Sequence, residues 1–306
     1  MAQKIGYPVI IKAAAGGGGK GMRICRTPSD LEDMFPMAQN EAKSAFGDPS
    51  LYIEKYITGA HHIEIQAIGD KTDQVIVFGE RECSAQRKYQ KIIEESPSPF
   101  IDEKTRRKMM KATQEAAEKI QYKSLGTFEF LVDEKKRFYF MEANTRVQVE
   151  HPITEMVYGI NLIKAQIRAA AGEKVSFPIG LEMRGHAIEC RINAEDPETF
   201  IPSPGKIDFL VFPGGEGIRV DSAAYAGWEI PPYYDSLIAK IIVYAPSRVL
   251  AISKMKAALE TTTIVGIKTN IPLLLNILSS TDFVNGNYTT QFVEKFLSQK
   301  PPAETQ

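Results

Sequence analysis

Five polar residues occupy alternate positions of one short stretch, Met141 to Pro152. They are Glu142, Asn144, Arg146, Gln148 and Glu150. In an extended backbone, alternate side chains point to the same face, so the spacing predicts that all five share one face. Burying such groups is costly unless each is paired or binds an ion. The pattern therefore favours a site that binds charged ligands, and a solvated strand face is the alternative.

A hairpin directly upstream extends this prediction. Two runs rich in aromatic and β-branched residues, Gly126–Val132 and Arg137–Glu142, flank four charged residues and are typical of paired strands. With the turn centred on those four, Glu129 is predicted to lie opposite Phe140 and diagonal to Glu142. Two converging carboxylates repel each other unless a cation lies between them, and oxygen ligands suit a hard ion such as Mg²⁺. The predicted metal ligands are Glu129, Glu142 and Asn144.

The N-terminal stretch combines a strand with a glycine-rich loop. Residues Lys4–Lys12 are predicted to form a strand, and Ala13–Met22 contains four consecutive glycines followed by Lys20. Glycine lets backbone amides approach phosphate oxygens closely, and a lysine adds a positive charge. The spacing matches neither a P-loop nor a dinucleotide-binding turn. We predict a hairpin that folds over a nucleotide, and a flexible hairpin without a ligand is the alternative.

Composition excludes several classes of protein. The chain has 306 residues, 43% of them hydrophobic, and a net charge of −1, which gives no general attraction to nucleic acid or to an anionic membrane. The 3 cysteines match no zinc spacing and favour a reducing, cytoplasmic environment. No apolar run approaches the roughly 20 residues of a membrane span, and no signal peptide is recognised.

The remaining elements are strands and amphipathic helices. We predict helices over residues 101–121 and 153–171 and a strand over 185–193, with Glu189 and Arg191 on one face. The basic and amide-rich run 81–91 is either a solvated connector or a segment that faces an anion. Together the elements predict an α+β fold with antiparallel sheets and peripheral helices.

The sequence resembles the biotin carboxylase component of biotin-dependent carboxylases, an ATP-grasp enzyme. The resemblance is carried by the Gly-rich loop after Lys12, by the stretch Met141–Pro152, by Glu189-Cys-Arg-Ile-Asn-Ala-Glu-Asp-Pro197 and by Pro232-Tyr-Tyr-Asp-Ser236. It implies an enzyme, a ligase that carboxylates N1′ of biotin with ATP and bicarbonate through carboxyphosphate. It also implies Mg²⁺ or Mn²⁺ as the metal.

The resemblance assigns roles to individual residues. The implied nucleotide contacts are Lys12, Gly18, Gly19, Glu54, Lys55, Ile57, His62, Gln86 and Tyr89. The implied bicarbonate site comprises Lys91, Arg146, Gln148, the Val149 backbone and Glu150. Glu150 would be the general base for bicarbonate. Arg191 would stabilise the biotin enolate that forms as N1′ loses its proton.

Three departures from the family pattern qualify these expectations. Ala15 stands at the first position of the glycine run, and Tyr89 stands where a histidine is common. The N-terminal domain of the family is not matched, so the chain is expected to be a fragment that is weakly active or inactive alone. The predicted divisions are a lid at 1–57, a catalytic and C-terminal region at 58–299, and a disordered tail at 300–306.

Partners follow from the resemblance as well. A biotin carboxyl carrier protein and a carboxyltransferase component are implied, with a homodimer as one option for the assembly and neither nucleic acid nor membrane as a partner. The final carboxyl acceptor stays open. Two other functions also remain: another ATP-grasp ligase, and a nucleotide-binding or assembly module without catalysis.

Overall fold

The structure is a computed structural model that describes residues 1–16 and 22–299. Two units can be distinguished by their internal contacts. The first unit comprises Met1–Ala60 together with Arg87–Gln90, and the second comprises His61–Gln86 and the chain from Lys91 onward. The predicted boundary between residues 57 and 58 and the predicted catalytic region stay predictions. The predicted tail at 300–306 and the glycines Gly18 and Gly19 lie outside the described residues.

The first unit consists of a small sheet and its helices. In chain order it contains α1 (Ala2–Ile5), β1 (Val9–Ala13), β2 (Arg23–Cys25), α2 (Pro28–Phe46) and β3 (Leu51–Lys55). The strand order is β2-β1-β3, and both pairings are antiparallel. The helix α2 begins with a capping box in which Thr27 and Asp30 bond to each other's backbone. The buried core of this unit consists of Ala2, Val9, Ile11, Cys25 and Ala38.

The predicted strand Lys4–Lys12 is wrong over its first half. The chain forms the short helix α1 up to Ile5, and the strand begins only at Val9. Gly6 ends the helix at a φ of 79°, a conformation that glycine adopts without strain. Pro8 then keeps Tyr7 out of the helical region of backbone space. The local breakers therefore divide an apolar run that looked continuous.

The second unit contains most of the strands. From its start to the middle of the chain it holds β4 (His61–Gly69), β5 (Val75–Arg87), β6 (Gln90–Ser96), α3 (Glu103–Lys119), β7 (Ser124–Val132), β8 (Phe138–Asn144), α4 (His151–Tyr158) and α5 (Leu162–Ala170). Then follow β9 (His186–Asn193), β10 (Gly205–Lys206), β11 (Phe209–Val211), β12 (Ile218–Ser222), β13 (Glu229–Ile230), β14 (Leu237–Ala245), α6 (Arg248–Thr261), β15 (Thr263–Val265), α7 (Ile271–Ser279), α8 (Thr281–Val284) and α9 (Phe292–Ser298).

One eight-stranded sheet carries the polar residues of interest. Its strand order is β12-β14-β9-β6-β5-β4-β7-β8, and two further pairs, β10-β13 and β11-β15, form small sheets. The helices α6 and α7 pack with β9 and β14 around the largest hydrophobic core, which includes Ile192, Ile241, Met255 and Leu274. The α+β class with antiparallel sheets is confirmed. No helix within the described part of the chain is long and apolar enough to cross a membrane.

Two predicted segments have a different local structure. The run 81–91 forms the end of β5, a turn at residues 88–89 and the start of β6, and residues 81–86 are buried, so the run is not a solvated connector. That it faces an anion stays a prediction. The predicted helix 153–171 is two helices, α4 and α5. Gly159 ends α4 in the left-handed conformation, and the Asn161 side chain then caps the start of α5.

The predicted register of the β7–β8 hairpin is also wrong. Glu129 lies opposite Glu142, and Phe130 lies opposite Phe140, so one extra residue bulges out of β8 between them. The loop contains three residues rather than two, because Asp133 pairs with Arg137 and Lys136 adopts a φ of 59°. The Asp133 side chain accepts hydrogen bonds from the backbone amides of Lys135 and Arg137, which stabilises this loop.

The predicted strand from Glu142 to Glu150 ends early. The extended backbone stops at Asn144, and Glu150 is already the residue that precedes α4. Arg146 and Gln148 therefore lie on an irregular segment and do not share one strand face with Glu142. Pro152 favours this helix start because its fixed φ suits the first turn.

Candidate active site

A row of charged residues crosses four adjacent strands of the large sheet. The register places Arg81 of β5 opposite Glu64 of β4, Glu64 opposite Glu129 of β7, and Glu129 opposite Glu142 of β8. Directly opposed residues have Cβ atoms about 5 Å apart, so neighbouring side chains of the row interact. Arg81 and Glu64 are fully buried, whereas Glu142 at the edge strand is exposed.

Asn144 connects the two carboxylates that sequence analysis predicted to converge. Its amide nitrogen lies 3.0 Å from Glu129 Oε1 and 3.3 Å from Glu142 Oε1. The three predicted metal ligands are thus brought together, although by direct opposition of the two glutamates rather than by a diagonal contact. The geometry depends on the β-bulge in β8.

Glu129 is the most heavily hydrogen-bonded acid of the row. Its Oε1 accepts from Gln148 at 2.7 Å and from Lys91 at 3.2 Å, and its Oε2 lies 3.0 Å from His62 Nε2. The amide nitrogen of Gln86 donates to the Cys83 carbonyl at 2.8 Å and lies 2.6 Å from His62 Nδ1. Since a carbonyl only accepts, this contact makes His62 Nδ1 the acceptor from Gln86. The other ring nitrogen, Nε2, is close to Glu129, but the two do not form a well-aligned hydrogen bond.

Lys91 lies among three buried carboxylates. Its ammonium group is 2.7 Å from Glu64 Oε2, 3.2 Å from Glu129 Oε1 and 2.5 Å from Glu150 Oε1. Burial alone would lower the pKa of Lys91, but the negative charges of Glu64 and Glu150 raise it well above its usual range. The side chain therefore stays positively charged and neutralises part of the acid cluster.

Glu150 is held between two cations. Its second oxygen, Oε2, accepts a hydrogen bond of 2.9 Å from Arg191 of β9, and Lys91 holds the first. The guanidinium of Arg191 also bonds to Glu94 of β6 at 2.6 Å through Nε. Burial disfavours the charge on Arg191, but the carboxylates of Glu94 and Glu150 raise its pKa. Both oxygens of Glu150 are thereby fixed in place.

Arg81 supports the cluster from the interior and was not among the predicted site residues. It has no exposed surface, and its guanidinium donates to Glu64 and Gln66 at 2.7 Å and to Gln148 at 3.2 Å. Burial would raise the pKa of Glu64, but Arg81 and Lys91 lower it to about 2. Glu64 was missed too. The available signal is a charged residue between isoleucines, Ile63-Glu64-Ile65, in a predicted strand.

The residues present fit a divalent cation at the hairpin. Glu129 and Glu142 face each other, and the Asn144 side chain reaches both, so a turn of its amide would present oxygen to an ion. Burial alone would raise the pKa of Glu129, but His62 and Lys91 lower it, which keeps the carboxylate ionised for metal binding. Among the described side chains, two groups also bring three ligand atoms within 4.8 Å, but both include Glu64. Arg81 and Lys91 already occupy the Glu64 carboxylate.

Two predicted bicarbonate ligands are directed elsewhere. Arg146 donates to the Val147 carbonyl at 3.1 Å and contacts the Asn144 side-chain oxygen at 3.4 Å, and no contact joins it to Lys91 or Glu150 in the described residues. The Val149 carbonyl accepts a hydrogen bond of 2.7 Å from Lys240 of β14. Lys91, Gln148 and Glu150 are therefore the members of that predicted set that the structure brings together.

The predicted nucleotide contacts of the first unit lie on β3 and its surroundings. Lys12 of β1 forms a salt bridge of 2.5 Å with Glu54 of β3, and Lys55 donates to the carbonyls of Gly6 and Tyr7. Ile57 follows the end of β3, and Tyr89 lies in the turn between β5 and β6 with a φ of 66°. Their roles toward a nucleotide stay predictions.

Comparison with known proteins places this site in a family. Residues 1–177 match the family model for the carbamoyl-phosphate synthase L chain, ATP binding domain, and residues 189–295 match that for the biotin carboxylase C-terminal domain. The chain is 52% identical over 299 residues to biotin carboxylase 1 of Bacillus subtilis, covering 97% of this chain and 66% of that protein.

Solved structures agree with this match. The biotin carboxylase domain dimer of Hydrogenobacter thermophilus 2-oxoglutarate carboxylase, in complex with MgADP, ADP and bicarbonate, is 50% identical with a TM-score of 0.93. The alignment covers 96% of this chain and 65% of that one. Biotin carboxylase from Campylobacter jejuni, as a β,γ-ATP complex, is 49% identical with a TM-score of 0.94. That alignment covers 96% of this chain and 66% of the other.

The sheet with its acid and amide cluster, together with the matched models, defines an ATP-grasp ATP-binding domain joined to a second, C-terminal domain. More narrowly, the chain belongs to the biotin carboxylase family. It spans 66% of the length of the Bacillus subtilis relative and corresponds to the C-terminal part of such relatives.

Proposed function

We propose that this chain takes part in the ATP- and bicarbonate-dependent carboxylation of biotin, through carboxyphosphate. The observation that carries the proposal is the position of Glu150, whose two oxygens are held by Lys91 and Arg191. A carboxylate fixed between two cations, next to further charged groups, suits the binding and deprotonation of a small anion. Similarity to biotin carboxylases supports the choice of substrate.

In this proposal each residue acts on charge at a defined place. Lys91 and Arg191 attract bicarbonate. Glu150 then accepts the proton of bicarbonate, so that the deprotonated bicarbonate can attack the γ-phosphate of ATP. Gln148 completes the anion site from a position fixed by Arg81. Arg191 then stabilises the negative charge on the biotin ureido oxygen as N1′ loses its proton. Arg146 stays a proposed ligand that would have to turn from its contacts to Asn144 and Val147.

The metal site belongs to the same proposal. Glu129, Glu142 and Asn144 would hold Mg²⁺ or Mn²⁺, which neutralises charge on the phosphates of ATP when bound. His62, with Gln86 behind it, contacts Glu129 through Nε2 at 3.0 Å and limits where that carboxylate can lie. Lys12, Glu54, Lys55, Ile57 and Tyr89 are proposed nucleotide contacts, as are Gly18 and Gly19.

The broader setting is also proposed. A biotin carboxyl carrier protein would present biotin, a carboxyltransferase component would take the carboxyl group onward, and a homodimer is the proposed assembly. The three cysteines are free and buried, which is in keeping with the proposed cytoplasmic location. The lid boundary near residue 57 belongs to the same set of proposals.

Two substitutions test the proposal by separating binding from chemistry. The assay uses this chain joined to the N-terminal part of the Bacillus subtilis relative that it does not match. Glu150→Gln should keep ATP affinity and lose bicarbonate-dependent ATP cleavage, because the base is gone. Arg191→Ala should retain more ATP cleavage and lose carboxybiotin. Deleting a group felt mainly in the transition state costs about 3–4 kcal/mol, or about 10²–10³ in rate.

Glu155→Gln is the matched control. Glu155 lies on α4 close to Glu150 in sequence, but its carboxylate accepts hydrogen bonds of 2.6 Å from Arg219 and from the Leu162 amide, and not from Lys91 or Arg191. Its substitution should leave the rates within a few-fold of the wild-type values. Losses of only a few-fold for both Glu150→Gln and Arg191→Ala would contradict the proposed roles.

A further inference from the structure

Two buried glutamates face each other behind Arg191. Glu94 of β6 and Glu189 of β9 are direct cross-strand partners, and neither has exposed surface. Side chains at such positions lie close together, with Cβ atoms about 5 Å apart. Two ionised carboxylates at this separation, both removed from water, repel each other strongly. The pair therefore needs either a cation or a proton.

Hydrogen bonding within the pair is unequal. Glu94 Oε1 accepts a hydrogen bond of 2.6 Å from Arg191 Nε, and Arg191 Nη2 lies 2.5 Å from the same oxygen. The second oxygen of Glu94 and both oxygens of Glu189 are buried and have no hydrogen-bond partner among the described residues. Buried carboxylate oxygens are normally bonded, so three unpartnered oxygens side by side call for a physical explanation.

The surrounding cations are committed to other groups. Lys91 binds Glu64, Glu129 and Glu150. Lys240, which lies opposite Arg191 on β14, donates to the Val149 carbonyl at 2.7 Å and is 3.4 Å from Asp221.

The other titratable neighbours supply no positive charge. Glu150 adds negative charge to the surroundings of the pair. The thiols of Cys83 and Cys190 are fully buried, which raises the pKa of each well above its usual range and keeps both neutral. Arg191 and Lys240 are the cations whose charge favours the anionic form of Glu189, and both are hydrogen-bonded to other groups.

We propose that Glu94 and Glu189 share a single proton at neutral pH, with Glu189 as the neutral acid that donates to Glu94 and Glu94 as the anion that positions Arg191. The shared proton joins two of the three unpartnered oxygens and leaves the pair with one negative charge. The positioning role rests on the proposed function of Arg191, whereas the shared proton does not.

The surroundings of both acids favour protonation. Burial raises the pKa of Glu189 well above its usual range, and the charge of Glu94 raises it further. Burial also raises the pKa of Glu94, which Arg191 counteracts. Since Arg191 lies against Glu94, the proton resides on Glu189.

A single charge on the pair has a consequence for Arg191. Its guanidinium bonds to Glu94 on one side and to Glu150 on the other. A second negative charge on Glu189 would compete with Glu150 for the guanidinium and draw it back toward β9. The proton on Glu189 therefore keeps Arg191 directed at the proposed site.

Infrared spectroscopy of the chain tests the shared proton without any activity measurement. A protonated carboxyl group has a carbonyl stretch that is distinct from that of a carboxylate. The wild-type chain should show this band at neutral pH, and Glu189→Gln should remove it. Glu189→Met, which has a similar length and no acid, serves the same purpose if the glutamine variant does not fold. Absence of the band from the wild type at neutral pH, or its persistence in the variant, would overturn the proposal.

Thermal stability provides a second readout with a matched control. Because the folded state must keep Glu189 protonated above its usual pKa, Glu189→Gln should raise the melting temperature between about pH 6 and pH 8. The control is Glu95→Gln, the next residue on β6, whose carboxylate is held by His186, Arg248 and Tyr288. That variant should lower the melting temperature at neutral pH and leave the band unchanged. A Glu189→Gln protein less stable than wild type throughout this range would contradict the shared proton.

The positioning role needs an enzymatic readout. In the chain joined to the N-terminal part of its relative, Glu94→Gln should lower kcat for biotin carboxylation at least tenfold and leave KM for ATP unchanged. Glu94→Asp should recover part of kcat because it keeps the charge. Equal loss in Glu94→Asp and Glu94→Gln would reduce Glu94 to a structural role. A joined wild-type protein that forms no carboxybiotin would contradict the proposed function, while the infrared result would still decide the shared proton.

Discussion

The ammonium group of Lys91 lies within 3.2 Å of three buried carboxylates, an arrangement that gains little for folding. Removing charges from water costs several kcal/mol per ion, and their mutual attraction repays this only in part. An apolar core of the same volume would be at least as stable. The cluster is therefore better explained by the anion chemistry proposed for it than by a contribution to stability.

Substitution of Lys91 should expose the cost of this arrangement. Lys91→Met leaves Glu64, Glu129 and Glu150 without their shared cation, so the free energy of unfolding should fall by about 3–5 kcal/mol. Chemical denaturation at neutral pH measures this change. Lys123→Met is the control, because Lys123 is exposed and lies 3.9 Å from Asp73; it should change stability by less than about 0.5 kcal/mol. Equal losses of stability for both variants would show that Lys91 is no more important for folding than an exposed lysine.

Glu142 lies at the exposed edge of the charged row, so its substitution should change metal binding and leave the free energy of unfolding nearly unchanged. Glu142→Gln removes one anionic ligand and should weaken binding of Mg²⁺-ATP, while ATP binding without Mg²⁺ stays the same. Calorimetry with and without Mg²⁺ measures the difference. Glu134→Gln, in the exposed loop of the same hairpin, is the matched control. Identical ATP affinity with and without Mg²⁺ in the wild-type protein would argue against the metal site.

Residue types and spacing predicted that three polar side chains of the hairpin converge, which the structure bears out, but they did not predict the residues beneath them. The role of the three as metal ligands stays a prediction. Glu129, Glu142 and Asn144 were proposed because acids and amides interrupt aromatic strands. Glu64 and Arg81 look like ordinary strand residues, since a charged side chain on a strand usually points to solvent. Only the register, which places Arg81, Glu64 and Glu129 opposite one another, shows that these charges neutralise each other in the interior.

At the scale of elements, the hairpin shows which local features sequence patterns miss. Its two strands were predicted correctly, but a loop of three residues and a β-bulge moved Glu142 from a diagonal position to one directly opposite Glu129. A lysine in the left-handed conformation gives no sequence signal comparable to glycine. The side-chain contacts of Asp133 stabilise that loop, and such contacts become apparent only once the strands are paired.

Close packing of two glycines against Tyr122 should fix β4 and β7 beneath the site. A Cβ on Gly69 would lie 1.9 Å from the backbone oxygen of Tyr122, and one on Gly126 would lie 2.1 Å from its hydroxyl oxygen. Gly69→Ala should therefore lower the free energy of unfolding by about 3 kcal/mol, because the backbone at Tyr122 must move. Gly126→Ala should lower the free energy of unfolding by a smaller amount, because only the Tyr122 side chain must move. The loss should be smaller still in a Tyr122→Phe background, which lacks the hydroxyl.

Urea denaturation of these variants gives the comparison. Gly214→Ala is the control, since a Cβ there would meet nothing within 4 Å; its effect should stay within about 0.5 kcal/mol. A Gly69→Ala protein as stable as the control would mean that the packing beneath the site is loose.

At the scale of the whole molecule, the resemblance predicted the family, and the antiparallel α+β architecture was predicted from the elements. The order of the eight strands was not predicted, because β9 pairs with β6 and β14, which are distant from it in sequence. That order brings Glu94 and Arg191 together with Glu150. Local periodicity places a residue on a face of its own strand, but it does not specify the neighbouring strand.

The large sheet also holds buried acids whose ionisation should govern stability in acid. Burial alone would raise the pKa of Glu95, but hydrogen bonds and charge from His186 and Arg248 lower it from 4.5 to about 2. A group with a depressed pKa stabilises the folded state above its unfolded pKa, and this stabilisation is lost as the pH falls toward the folded value. For Glu95 the stabilisation amounts to about 3 kcal/mol at neutral pH.

The difference in unfolding free energy between the wild type and Glu95→Gln should follow this titration. We expect the wild type to be more stable by about 3 kcal/mol from about pH 5 to pH 7, and the difference should shrink steadily between about pH 4.5 and pH 2. Urea denaturation at a series of pH values measures it, and taking the difference removes the groups that titrate equally in both proteins. The Glu189→Gln difference should have the opposite sign at neutral pH, because its acid is held neutral rather than ionised. A Glu95→Gln difference that stays constant down to about pH 2 would mean that the charge on Glu95 does not stabilise the folded sheet.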